Sequence, residues 1–430
     1  LRPLAEGFIA TSASIRTRAG EVGPMSSRSR LHRLLTAAWV ATVASGAKAP
    51  QLRVRQAGTA AVRPSSLAGS SATAAAAAGC ASAARLPKAE VFNRTLLWRE
   101  EGLAPVLREY SVYIPESYRL GTPSGLVLVF HGWGDPSKGV QMGMGPWPSW
   151  YHSFYGYRRA AESSGFITVY PVGLSDCRGK ECFDTQNKRG YESWNATGST
   201  SSRDGGNATC DLSVKEGNTC YRSTAIRKGG CHKCDWTTGY NDVGFVQQLV
   251  DELKSTLCVD PKRIFATGCS NGGMFVHDLA QHMSGTFAAV AANCAGKPHK
   301  GFETLPEGLP ISMMLVTGKQ DHTIRGLGIS VGQAWWDGFK YASRADVFEA
   351  YRVRNRCPRD MAKKSYISMR AVRRPSTRMR GGLAGGGTVL TQNGSDVTSE
   401  NAGYHEHSMS CHQLYYGCAG NSSLVSCEWD

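Results

Sequence analysis

Residues 258–296 read CVDPKRIFATGCSNGGMFVHDLAQHMSGTFAAVAANCAG. Pro261 breaks the chain, and the apolar run 263–267 that follows has the length of a strand. Next come Gly268-Cys269-Ser270-Asn271-Gly272, apolar residues at helical spacing from about 272 to 283, and a second short apolar run at 288–292. A strand, a glycine-flanked turn, a helix and another strand make a βαβ unit, in which the crossover sets the two strands parallel.

The same alternation continues on both sides. Residues 111–114, 126–130 and 166–170 read as strands. Asp242 is expected to cap a helix whose apolar residues Val243, Val246, Leu249, Val250, Leu253 and Leu257 recur at steps of three and four. A strand is expected at 311–317, and a helix over about 335–353. This order predicts an α/β protein with a mostly parallel central sheet and helices on both faces. In such a sheet the chemistry sits at the carboxyl ends of the strands.

Gly268-x-Ser270-x-Gly272 fits a nucleophile elbow, where a serine hydroxyl is pushed out of a sharp strand-to-helix turn. Gly328-x-Ser330-x-Gly332 fits the same spacing. Context separates them: Ser270 follows an apolar strand and precedes a helix, whereas Ser330 lies in a polar, glycine-rich stretch. Ser270 is therefore the candidate nucleophile. The strand 126–130 runs into His131-Gly132-Trp133-Gly134, where backbone N–H groups are placed to bind an oxyanion. The expected donors are the N–H groups of Trp133 and of Asn271, the latter at the positive end of a helix. Strand 311–317 delivers Asp321, an acid placed to orient and stabilise a catalytic imidazole.

Together with 113–118 (YIPESY), 126–134, 165–173 (GFITVYPVG) and 241–246 (NDVGFV), the opening stretch resembles the α/β-hydrolase esterase family that includes polyhydroxybutyrate depolymerases and secreted feruloyl esterases. Weaker matches lie at 315–324 and 411–418. The resemblance covers about 105–430 with interruptions near 197–233 and 360–405. It implies ester hydrolysis through an acyl-enzyme, with Ser270 and Asp321 in the roles given above and no metal or organic cofactor. The second interruption, rich in arginine and glycine, reads as a surface loop or a translated intron.

The family's histidine follows a late strand after paired cysteines. Here that strand is 424–429, so the base is expected beyond Asp430. Within the sequence His322 lies too close to the acid, and His405 and His407 sit in a polar segment. His412 adjoins Cys411, as Ser270 adjoins Cys269, and a 269–411 disulfide like that of tannase-like feruloyl esterases would bring His412 to the nucleophile. The alternative function is a catalytically impaired hydrolase-fold protein that binds at the cell surface or wall.

Met25, the basic residues Arg28, Arg30 and Arg33, and the apolar run 34–44 have the layout of a signal peptide over 25–49. Residues 1–24 read as upstream sequence, 50–88 as a disordered low-complexity leader or linker, and 89–430 as the catalytic domain. Fourteen cysteines in a secreted chain point to disulfides. Cys231-x-x-Cys234 with Cys210 and Cys220 offers only one close pair for zinc, so no metal is expected. Asn93, Asn195, Asn207, Asn393 and Asn421 begin glycosylation sequons.

The net charge of +15 is uneven. Residues 1–88 hold 12 Lys/Arg against 2 Asp/Glu, residues 341–381 hold 12 against 3, and the remainder is mildly acidic. An evenly basic face is absent, which argues against nucleic acid as partner. No apolar run reaches the roughly 20 residues of a membrane span. Met144, Trp147, Trp150, Tyr151, Phe154 and Tyr155 follow the oxyanion loop. They suit a hydroxycinnamoyl–polysaccharide or polyester substrate, or simply pack the loop on the body.

Overall fold

The computed structural model describes residues 79–80, 88–134, 157–176, 183–184, 189–199, 210, 221–230, 234–296, 308–319, 321, 324, 339–358, 367–373, 388–392, 407–415 and 417–429. The expected signal peptide, most of the leader, Ser330, His322, His405 and the aromatic residues 142–155 lie outside them.

Thirteen strands and five helices are described. Strands β1 (Val91–Trp98), β2 (Val106–Tyr113) and β3 (Ser124–Phe130) lead to helix α1 (Tyr157–Ser164) and strand β4 (Ile167–Pro171). A small ribbon, β5 (Phe183–Asp184) with β6 (Arg189–Gly190), precedes α2 (Arg222–Lys228) and α3 (Asp242–Thr256). Then come β7 (Val259–Cys269), α4 (Asn271–His282), β8 (Ala289–Asn293), β9 (Ser312–Gly318), α5 (Arg344–Arg354), β10 (Ile367–Arg373), β11 (Thr388–Gln392), β12 (His407–Tyr415) and β13 (Leu424–Trp429).

The large sheet has the order β1-β2-β4-β3-β7-β8-β9-β13-β12-β10-β11. Its centre, from β4 to β13, is parallel throughout, and antiparallel strands flank it on both sides. The central strands are buried along nearly their whole length because helices cover both faces: every residue of β3, β4 and β8 is buried. Phe130, Leu249, Leu253, Phe275, Leu279 and Leu315 belong to the core that joins helices to sheet.

Several expectations shift. The cap of α3 is Asn241, whose side chain accepts from the Gly244 N–H at 2.9 Å, and Asp242 is the first helical residue. Its carboxylate is engaged elsewhere, with Arg108. Pro261 lies inside β7, where the register against β3 slips between Ser124 and Leu126. The irregularity accommodates a residue that cannot donate to the ladder. The expected helix over 335–353 starts only at Arg344, with Ser343 as its cap accepting from Asp346 N–H at 3.0 Å. The interruption read as a loop contributes β10 and β11 to the sheet edge. Cys80, in the segment read as leader, is bonded to Cys258 at the start of β7.

Candidate active site

The registers align the carboxyl ends of the parallel strands along one rim. Phe130 pairs with Gly268, Cys269 with Asn293, Asn293 with Val316, and Gly318 with Trp429. The segments that leave this rim carry His131–Trp133, Ser270, Cys294 and Asp321 in turn.

Ser270 stands between β7 and α4 with φ 55° and ψ −124°. A non-glycine residue held at positive φ stores backbone strain, and its neighbours must hold it there. They do so with three bonds. The Ser270 N–H donates to the Asn293 carbonyl at 3.0 Å, its carbonyl accepts from Met274 N–H at 2.8 Å, and Cys269 is bonded to Cys294. The glycines are sterically required. A Cβ on Gly268 would lie 2.5 Å from the Gly272 backbone, and one on Gly272 would lie 2.3 Å from the His131 carbonyl oxygen. On Gly273 it would meet Ala295 Cβ at 2.6 Å. Ser270 itself is partly exposed at the rim.

The β3 loop passes directly beside it. A Cβ built on Gly132 would fall 3.3 Å from Ser270 Cβ and 3.8 Å from its Oγ. Trp133, next in the chain, donates from its indole to Tyr221 Oη at 2.9 Å and packs on Tyr191 with ring centroids 4.7 Å apart. Gly134 pairs with Glu192 through two backbone bonds of 3.2 and 2.8 Å. His131 is buried and structural. The Gly173 N–H donates to its Nε2 at 2.8 Å, which places the ring proton on Nδ1, and Nδ1 donates to the Gly132 carbonyl at 2.6 Å. Burial pushes its pKa down to about 4, so the ring is neutral.

The Asn271 side chain is engaged as well as its backbone. Its side chain is fully buried, and Oδ1 accepts from Trp194 N–H at 2.8 Å while Nδ2 donates to the Trp194 carbonyl at 2.9 Å. Trp194 is also fully buried, stacks on Phe275, meets Phe130 edge-on, and donates from its indole to the His131 carbonyl at 3.0 Å. The next residue, Asn195, donates its N–H to Asp242 Oδ2 at 2.7 Å, and Asp242 Oδ1 accepts from Arg108 at 2.8 Å. Burial raises the Asp242 pKa and lowers that of Arg108, and their mutual attraction opposes both shifts. The Arg108 guanidinium lies 3.9 Å from the Phe245 ring centroid.

Asp321 follows β9, which lies two strands from β7 in the sheet. It is partly exposed, and its Oδ1 accepts from Ile324 N–H at 2.9 Å, which fixes the turn that carries it. Behind it Arg344 joins β9 and β13, bonding Thr317 Oγ1 at 3.2 Å and Glu428 Oε1 at 2.9 Å.

The cysteines correct one expectation. Cys269 is bonded to Cys294 and Cys411 to Cys427, so the 269–411 bridge does not form. His412 lies at the register slip in β12, four strands from β7. Cys210 is bonded to Cys234, which removes both from a zinc site. Cys357–Cys418 and Cys80–Cys258 complete the five disulfides among the described residues. Asn93 and Asn421 are exposed, whereas the Asn195 amide donates to the Tyr240 carbonyl at 2.9 Å. Tyr157, two residues after the aromatic stretch, is buried and bonds Thr267 Oγ1 at 3.2 Å, so it packs the core.

Parallel strands with this order, an antiparallel β2 beside β4, and a strained serine between the central strand and its helix define an α/β-hydrolase fold. No family model matches the chain. Over 80 residues it is 38% identical to the putative esterase NocK of Nocardia uniformis subsp. tsuyamanensis, covering 19% of this chain and 23% of that protein. Over 85 residues it is 31% identical to the bifunctional acetylxylan esterase/xylanase XynS20E of Neocallimastix patriciarum, covering 20% of this chain and 12% of that one. The matched stretches thus span less than a quarter of either relative. Similar solved structures include an acetyl xylan esterase from Aspergillus awamori, at 12% identity and TM-score 0.38 over 79% of this chain and 92% of that one. The poly(3-hydroxybutyrate) depolymerase LpqC from Bordetella parapertussis has 17% identity and TM-score 0.33, over 61% and 78%. Both curated relatives carry esterase in their names. Among the described residues no helix is long and apolar enough to cross a membrane.

Proposed function

We propose that the chain is a secreted serine carboxylic-ester hydrolase of the feruloyl esterase and polyhydroxybutyrate depolymerase type. The observation that carries this reading is Ser270 held at φ 55° with the β3 loop against its side chain. The disulfides among the described residues support a route through an oxidising compartment. The esterase names of the two curated relatives support the reaction class.

Ser270 Oγ attacks the ester carbonyl, and a histidine takes its proton. The N–H groups of Trp133 and Asn271 hold the oxyanion. Asp321 orients the imidazole and stabilises its charged form. The alcohol leaves with the histidine's proton, and water then attacks the acyl-enzyme to release the acid and restore Ser270. The acyl group rests against Trp133 and Tyr191, whose paired rings suit a planar hydroxycinnamoyl group or an apolar polyester unit.

The test is hydrolysis of an aryl ester by the wild-type chain and by Ser270→Ala and Asp321→Asn. Ser270→Ala is expected to lose about 10⁴-fold or more in kcat while remaining folded, and Asp321→Asn about 10³–10⁴-fold. Turnover retained by Ser270→Ala would rule out Ser270 as the nucleophile, whereas turnover absent from the wild type favours instead a hydrolase-fold binding protein of the cell surface or wall.

A further inference from the structure

One buried residue touches both arms of the proposed oxyanion site. Trp194 donates its indole N–H to the carbonyl of His131, two residues before Trp133. Its own backbone N–H and carbonyl are clasped by the side chain of Asn271, whose backbone N–H is the second proposed donor. The indole is fully buried, stacked on Phe275 at 5.4 Å and edge-on to Phe130 at 5.1 Å, both of which belong to elements flanking the site. Asn195 then fastens the same segment to Asp242, which is paired with Arg108 inside the core. The chain of contacts therefore runs from a buried ion pair through Trp194 to both oxyanion arms.

We infer that Trp194 is a positioning residue that sets the separation of the Trp133 and Asn271 N–H groups. It touches no substrate. It acts by holding the β3 loop and the elbow at one fixed distance, and donors preorganised in this way need no reorganisation as charge develops on the oxygen. This inference rests on the ester-hydrolase reading of the same site.

Trp194→Phe removes the indole N–H and keeps an aromatic ring in the stack. A change in oxyanion placement is read by comparing an aryl ester with its thiono analogue, whose developing negative charge sits on sulfur and is held poorly by N–H donors. The wild-type chain is expected to prefer the oxygen ester strongly. Trp194→Phe is expected to lose roughly tenfold or more in kcat on the oxygen ester, with little change in KM and little change on the thiono ester, so that the preference shrinks. Asn271→Ala opens the clasp from the other side, leaves its backbone N–H in place, and is expected to shrink the preference likewise. It serves if Trp194→Phe does not fold. Equal losses on both esters, or none, in the folded variants would overturn the inference while leaving the hydrolase reading intact. Wild-type turnover that does not depend on Ser270 would instead remove that reading and the inference with it.

Discussion

Ser270 and Asn293 are joined across neighbouring parallel strands: the serine N–H donates to the asparagine carbonyl at 3.0 Å. The Asn293 side chain reaches back to Thr267 Oγ1 at 3.0 Å and to the Gly268 carbonyl at 3.2 Å. The residues beside them, Cys269 and Cys294, are bonded to each other. The strained turn is thus held by hydrogen bonds and a covalent bond on the same two strands.

Opening that covalent bond should relax the elbow. The double variant Cys269→Ala/Cys294→Ala closes no loop and is expected to lose roughly 3 kcal/mol of stability, given the separation of 25 residues. Thermal unfolding checks the stability, and initial rates on an aryl ester check the expected fall in kcat. An unchanged kcat would show that the hydrogen bonds hold Ser270 without the disulfide.

Gly272→Ala places a methyl group 2.3 and 2.4 Å from the carbonyl oxygens of His131 and Phe130. Those atoms are backbone, so β3 and the elbow must separate. The variant is expected to lose both esterase activity and several kcal/mol of stability. Gly285→Ala, whose methyl group meets nothing within 4 Å, is the tolerated control.

Asp242→Ala leaves the Arg108 guanidinium buried without its counter-ion. The expected cost is about 3–5 kcal/mol, measured by urea unfolding. Removing the partly exposed pair Asp251–Lys254 by Asp251→Ala is expected to cost less than about 1 kcal/mol.

His131 makes stability depend on pH. Its folded pKa, pushed down to about 4, lies below its ordinary 6.5, so between those values the unfolded chain binds more protons than the folded one. Its contribution is fully present above pH 6.5 and is lost as the pH falls towards 4. The loss reaches roughly 3 kcal/mol for a shift of this size. Urea unfolding at pH 7 and pH 4.5 should show this loss in the wild type and a shallower slope in His131→Gln.

The centre of the fold is legible in residues 258–296, because strand and helix periods alternate there with a glycine-flanked turn between them. The boundaries near 263, 272 and 288 fall within a few residues of β7, α4 and β8. The cap of α3 is one residue off because Asn and Asp cap equally well in isolation, and only the buried Arg108 draws Asp242 inward. Strand β1 escapes notice because VFNRTLLW does not alternate apolar with polar residues, although burial alternates along the folded strand. Trp194 is invisible as a positioning residue for a different reason. Its partners lie 63 and 77 positions away, and no local pattern marks a contact that only the folded chain creates. The cysteine partners are likewise a property of the register.

The central claim is that Ser270 is the reactive hydroxyl. The direct measurement is to treat the full chain with a fluorophosphonate and map the adduct by peptide mass spectrometry. The expected result is a single covalent adduct on Ser270, lost in Ser270→Ala. An adduct on Ser330, or no serine adduct under conditions that label a known serine esterase, would contradict it.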